Sequence, residues 1–92
     1  MIESFKHKGL ERLFEEDDRS KLATDTVEKI RLVLLALEQA GSNDDLNQPS
    51  FRLHPLKGDL KGNWAVTVRA NWWTTFRFEG DKASNVDLVD YH

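Results

Sequence analysis

The chain has 92 residues, of which 39% are hydrophobic and 32% charged, and a formal net charge of −3. That length supports one hydrophobic core and hence a single domain over residues 1–92, since domains rarely fall below ~50 residues. No apolar run approaches the ~18 residues of a membrane span, and residues 1–20 lack the apolar core of a secretory signal, so no membrane association and a cytoplasmic location are expected.

In chain order, a short extended piece at Ile2 to Phe5 leads into Leu10, Leu13 and Phe14, whose spacing is that of one helix face. Four consecutive acids, Glu15 to Asp18, oppose a helix C-terminal dipole and should end this first helix. The second helix is announced by Asp25 and Glu28, which resemble a capping pair, and by Val27, Ile30, Val33, Leu34, Leu37 and Ala40 at helical spacing. Gly41 supplies a stop, and Ser42 to Ser50 reads as a loop.

The remainder alternates with the period of strands. Trp64, Val66 and Val68 share one face, as do Trp72, Thr74, Phe76 and Phe78, with Ala70 and Asn71 as the intervening turn. A turn at Glu79 to Lys82 then leads into Val86 to Tyr91. A three-stranded antiparallel meander follows, its apolar face covered by the second helix, giving an α+β fold with two N-terminal helices packed on one sheet face. Strict alternation sends Arg69, Trp73, Thr75, Arg77 and Tyr91 to the opposite, open face.

Charge is distributed unevenly. Residues 47–78 contain Arg52, Lys57, Lys61, Arg69 and Arg77 against one acid, Asp59, so this is where a polyanion would bind. A cationic sheet face with an exposed aromatic suits a nucleic acid whose bases can stack. Trp73 itself has three open readings: stacking on a base, packing on the first helix, or plain exposure.

The chemical candidates lie around this face. His54 sits in Leu53-His54-Pro55-Leu56-Lys57-Gly58, where proline holds it extended and glycine permits a tight turn. Either it is a loop histidine without a role, or it moves protons, as imidazole can near neutral pH. Lys57 is either a solvated lysine or a cation beside the same phosphate. Asp90, Tyr91 and His92 form either a frayed tail or an anchored rim carrying a carboxylate, a phenol and a second imidazole. Such a set suffices to cleave RNA without a metal: one group deprotonates a ribose 2′-hydroxyl, another protonates the leaving 5′-oxygen, and cations offset the phosphoryl charge. There is no cysteine, and His7, His54 and His92 have no metal-ligand spacing, so neither a metal nor another cofactor is expected.

The segments IESFKHKGL (Ile2 to Leu10), FRLHPLKGD (Phe51 to Asp59), WAVTVRANWWTTFRF (Trp64 to Phe78) and VDLVDYH (Val86 to His92) together resemble the HigB toxins, members of the RelE-like group. The resemblance implies a RelE-like fold and a ribosome-dependent endoribonuclease of messenger RNA. It also implies restraint by a HigA-like helix-turn-helix antitoxin, with promoter DNA bound only through that complex. It assigns acid/base roles to His54 and His92, the acidic and phenolic roles to Asp90 and Tyr91, and RNA contacts to Lys57 and Arg69. At Trp73 the chain departs from the pattern, which has an arginine after Asn-Trp. The consequence is either a weakened enzyme or a loss made good by Arg77 or Lys57, and the alternative is a RelE-fold module that binds without cleaving.

Overall fold

A computed structural model describes residues 1–58, 61–69 and 71–90. Helix α1 spans Lys8–Glu16 and α2 spans Val27–Gln39, and both precede a sheet of β1 (His54–Pro55), β2 (Trp64–Arg69), β3 (Trp72–Glu79) and β4 (Lys82–Asp90). The strands lie in the order β1-β2-β3-β4 and every pairing is antiparallel. No helix among the described residues is long and apolar enough to cross a membrane.

Helix α1 begins where the His7 Nδ1 accepts the Leu10 N–H at 3.2 Å, satisfying one of the free donors at the helix start. It ends at Asp17, which turns left-handed (φ 56°) and donates its N–H to the Leu13 carbonyl. Arg31 of α2 pairs with the Asp17 carboxylate, so the acidic run stops one helix and ties it to the next. Beyond it, Ser20 hydrogen bonds hold the exposed Asp18 carboxyl below the usual carboxylate range.

The α2 stripe is as the periodicity predicts: Val27, Ile30, Val33, Leu34 and Leu37 are buried. They pack with Val66, Val68, Phe76 and Val86 of the sheet in one core. Each such side chain contributes roughly 1.5–3 kcal/mol of burial. The expected capping by Asp25 is not observed. Thr24–Thr26 forms a short 3-10 turn, Thr26 is the N-cap without a side-chain cap bond, and the Asp25 carboxylate binds Arg69 instead.

The sheet departs from the expected meander in two ways. First, a fourth strand exists. The loop at residues 42–53 buries Leu46 and Phe51, and the Phe51 carbonyl accepts the Thr67 N–H at 2.8 Å. The chain is thereby laid along β2, pairing His54 with Ala65 and Pro55 with Trp64. Second, two register shifts interrupt the alternation. Thr67 faces Trp73 but Arg69 faces Trp72, so Val68 is the extra residue of a bulge. In β4 the shift falls around Asn85 and Val86, with Asn85 left-handed at φ 54°, a backbone conformation asparagine tolerates better than most residues.

Trp72, expected in the core, is 37% exposed and lines a shallow hollow on the helix side with Leu22, Ala23 and Thr26. The extended N-terminal piece bridges β4 in parallel at Ile2 with Ala83 and at Phe5 with Val86.

Gly9 is required by close approach: a Cβ there would stand 2.7 Å from the His7 ring and 3.0 Å from Lys21. Gly9→Ala, which inside an unobstructed helix gains about 0.5–1 kcal/mol, should here lower the urea midpoint. Leu37→Ala should cost about 2–5 kcal/mol. Leu32→Ala on the exposed side of the same helix should stay within about 0.5 kcal/mol.

Candidate functional site

Helices cover one face of the sheet, so the side chains that alternate away from them line the other. A hollow of about 440 Å³ opens there, lined by His54, Pro55, Leu56, Lys57, Trp73, Thr75, Val89 and Asp90. It draws on β1, the segment after it, β3 and β4. Trp73 and Val89 in it lie opposite one another in the register, and its lining is predominantly apolar, with Asp90 at the edge, where it pairs with Trp72.

His54 is held from two sides. Its Nδ1 lies 2.9 Å from the Arg52 carbonyl oxygen. A carbonyl only accepts, so Nδ1 carries the proton and Nε2 is the nitrogen left for proton exchange. The imidazole also meets the Trp73 indole edge to face, with centroids 4.5 Å apart and planes at 74°, a contact worth about 0.5–1.5 kcal/mol. The backbone on either side is fixed by β2: Phe51 accepts from Thr67, and the Leu56 N–H donates to the Asn63 carbonyl at 2.9 Å. Arg52 achieves the turn into β1 with a left-handed backbone, φ 48°.

Asp90, on the far strand, accepts a hydrogen bond from the Asn71 side-chain amide at 2.6 Å. Asn71 is the turn residue between β2 and β3, so this bond ties the turn to the end of β4. Asn71, which the sequence signals only as a turn former, thereby holds the carboxylate at the end of β4.

The structure therefore brings His54, Lys57, Trp73 and Asp90 to one hollow. Arg77 lies two residues beyond Thr75 on the same open face, in a neighbouring hollow, with its Nε 3.8 Å from the Glu79 carboxylate. Arg69 corrects the expectation from strict alternation. The bulge at Val68 sets it opposite Trp72 on the helix side, where its guanidinium pairs with Asp25. Tyr91 and His92 lie outside the described residues. No cluster of metal-ligating side chains exists among the described residues.

Chemically, the hollow draws on an imidazole whose Nδ1 is committed to a carbonyl oxygen, on a lysine and a flat aromatic, and at its edge on an aspartate. The aromatic offers a planar ring a stacking surface, while the polar groups match a phosphodiester and its neighbouring hydroxyl.

Comparison with known proteins supplies the context. The profile of a family described as "HigB-like toxin: RelE-like toxin of type II toxin-antitoxin system HigB" matches residues 3–92. The chain is 46% identical to "Endoribonuclease HigB" from Proteus vulgaris over 92 residues, covering 100% of both chains. Among solved structures it resembles YafQ from E. coli, with TM-score 0.62, 14% identity, and 98% and 93% of the two chains covered. A YoeB-YefM complex from Staphylococcus aureus matches with TM-score 0.58 and 15% identity over 100% of this chain and 98% of that one. At those identities the two structures show a shared fold.

The Arg69–Asp25 pair is more than half exposed on both sides. Asp25→Ala should therefore change the urea-derived stability by less than about 1 kcal/mol; a larger loss would mean that the pair anchors the start of α2.

Proposed function

The chain belongs to the HigB-like family of RelE-like toxins of type II toxin-antitoxin systems, and from that premise we propose that it is an endoribonuclease that cuts messenger RNA on the translating ribosome. The observation that carries this reading is the state of His54. Its imidazole is fixed in one tautomer, backed by an aromatic ring, and shares a hollow of nucleotide size with Lys57 and Asp90.

The proposed reaction needs no metal. One group takes the proton of the ribose 2′-hydroxyl, whose oxygen attacks the adjacent phosphorus. The P–O5′ bond breaks, leaving a 2′,3′-cyclic phosphate, and a second group returns a proton to the departing 5′-oxygen. His54 and His92 are the proton carriers. Asp90 orients an imidazole, Tyr91 supplies a phenolic donor, and Lys57 faces the phosphoryl oxygens. Arg77 contacts RNA farther along the sheet, and Trp73 stacks on a base. Arg69, held by Asp25 in the free protein, reaches RNA only by exchanging that carboxylate for a phosphate.

The family is one of toxins paired with antitoxins. The proposed partner here is a HigA-like helix-turn-helix protein, with promoter DNA bound only through the complex and the ribosome as the cytoplasmic site of action. The whole of residues 1–92 serves as one toxin domain.

A second reading is favoured by one observation. Trp73, at the position where the resemblance leads one to expect an arginine, spends its ring on His54. A transition-state cation is absent there, and losing one such donor typically costs ~10²–10³ in rate. On this reading the protein docks on the ribosome or the antitoxin without cutting.

Mapping messenger RNA 5′ ends after tightly controlled expression separates the two. New ends are expected with the chain and not with His54→Ala or His92→Ala; their absence from the unaltered chain would sink the nuclease. Trp73→Arg should raise the cutting rate by ~10²–10³ if the donor is missing. An unchanged rate would mean that Lys57 or Arg77 already supplies it.

A further inference from the structure

Beside the His54 hollow, on the same open face, lies a second one of about 410 Å³, in the size range of small-ligand sites. The two share Thr75 and Val89 as a common wall. Trp73, Thr75 and Arg77 project to this face at two-residue intervals, each about 6.8 Å on a strand rising ~3.4 Å per residue. That step is comparable to the backbone repeat of an extended single strand, so adjacent nucleotides can occupy adjacent hollows.

The side chains of the second hollow do not make a phosphate cradle. Lys6 and Arg77 are offset by Asp87 in its wall and by Glu79 beside Arg77, so its formal charge cancels. What remains is a set of donors and acceptors around an apolar patch: the amides of Asn63 and Asn85, the Thr75 hydroxyl, the Asp87 carboxylate and Val89. Fixed groups of both kinds are what a base edge requires. The Asn85 main-chain N–H donates to the Ser4 hydroxyl at 2.9 Å, which fixes the backbone at that position. One lining side chain is itself held by a backbone group. The Asp87 Oδ1 accepts the Leu88 N–H at 2.9 Å, which leaves Oδ2 as an acceptor at the wall. Asp87 faces Thr75 across the β3–β4 register, so both stand on the open face.

We propose that this second hollow binds the nucleobase next to the nucleotide held by His54 and Trp73, and that Asp87 selects bases bearing an exocyclic amino group. A carboxylate only accepts hydrogen bonds. Adenine, cytosine and guanine each offer it an exocyclic amino group, whereas uracil carries a carbonyl oxygen at C4, where cytosine has its amino group, and keeps only the ring N3–H as a donor. Cytosine and uracil have nearly the same size and stacking surface, so the contrast between them isolates the hydrogen bond. The inference rests on the ribonuclease reading for its RNA, but its test does not depend on cleavage.

The probes are deoxydinucleotides of cytosine and of uracil, which lack the 2′-hydroxyl and cannot be cut, titrated into the full chain and followed by residue-resolved NMR. Signals of Trp73 and of Asn85 and Asp87 should move together, and the cytosine probe should bind roughly tenfold more tightly, the worth of one hydrogen bond to a charged acceptor. Asp87→Asn keeps an acceptor for the Leu88 N–H and adds a donor that uracil can use, so it should abolish the preference. Asp87→Ala should abolish it too.

The inference is overturned by shifts confined to Trp73, by equal affinities, by no shift with either probe, or by a preference that survives Asp87→Asn. If both probes weaken equally in the variants, the hollow holds backbone and not base, which also overturns it. Missing cut sites in the 5′-end map would count against the ribonuclease alone, so the two failures are distinguishable.

Discussion

Burial of one face of the sheet under the Ile30, Val33, Leu34 and Leu37 stripe of α2 gives the other face its character. Once that stripe is satisfied by Val66, Phe76 and Val86, the period of two in each strand leaves Trp73, Thr75, Arg77, Asp87 and Val89 on the uncovered side. A one-residue slip would exchange the two sets and bury charge. The same packing that folds the chain therefore presents a polar, aromatic surface, and both hollows inherit their walls from it.

The two bulges are where this rule is broken to functional effect. At Val68 the extra residue turns Arg69 away from the open face and toward Asp25 at the approach to α2. Around Asn85 it lets β4 keep Ala83 and Ser84 buried while Asp87 and Val89 return to the open side. Bulges of this kind re-aim single side chains without moving the strands that carry them. The short strand His54–Pro55 works by similar economy. Proline is confined to sheet edges because it cannot donate to a ladder, so the strand that delivers the imidazole sits at the rim.

These same features mark what the sequence could and could not reveal. The α2 stripe and the Val66, Phe76 and Val86 face were readable because long amphipathic periods leave little choice. The edge strand was not readable, since two residues, one of them proline, have no period. Neither was the position of Arg69, because a bulge is a departure from the alternation used to infer it. Alternation does not place Trp72 correctly, because it reports the face of a sheet and not how far along the strand its cover extends. Asp25 fits a capping pattern, yet a nearby guanidinium competes for the same carboxylate. Of the site, His54, Lys57, Trp73 and Asp90 were named from the sequence and share a hollow, whereas the Arg52 carbonyl and the Asn71 amide act through backbone position and hydrogen bonding that no residue type announces.

The charge pattern bears on how a polyanion meets this face. The chain is acidic as a whole, but its acids concentrate in the helical half, with Glu15, Glu16 and Asp17 all exposed. Acids are scarce in residues 47–78, which build β1, β2 and most of β3 and where five bases meet a single acid, Asp59. A polyanion approaching such a molecule is repelled on one side and admitted on the other, so net acidity orients the encounter without preventing it. Within the admitted face, the His54 hollow is mostly apolar and the neighbouring one is polar with cancelling charges. On the proposed reading, affinity for phosphate comes from the rim lysines and arginines, while the interiors of both hollows distinguish rings from one another.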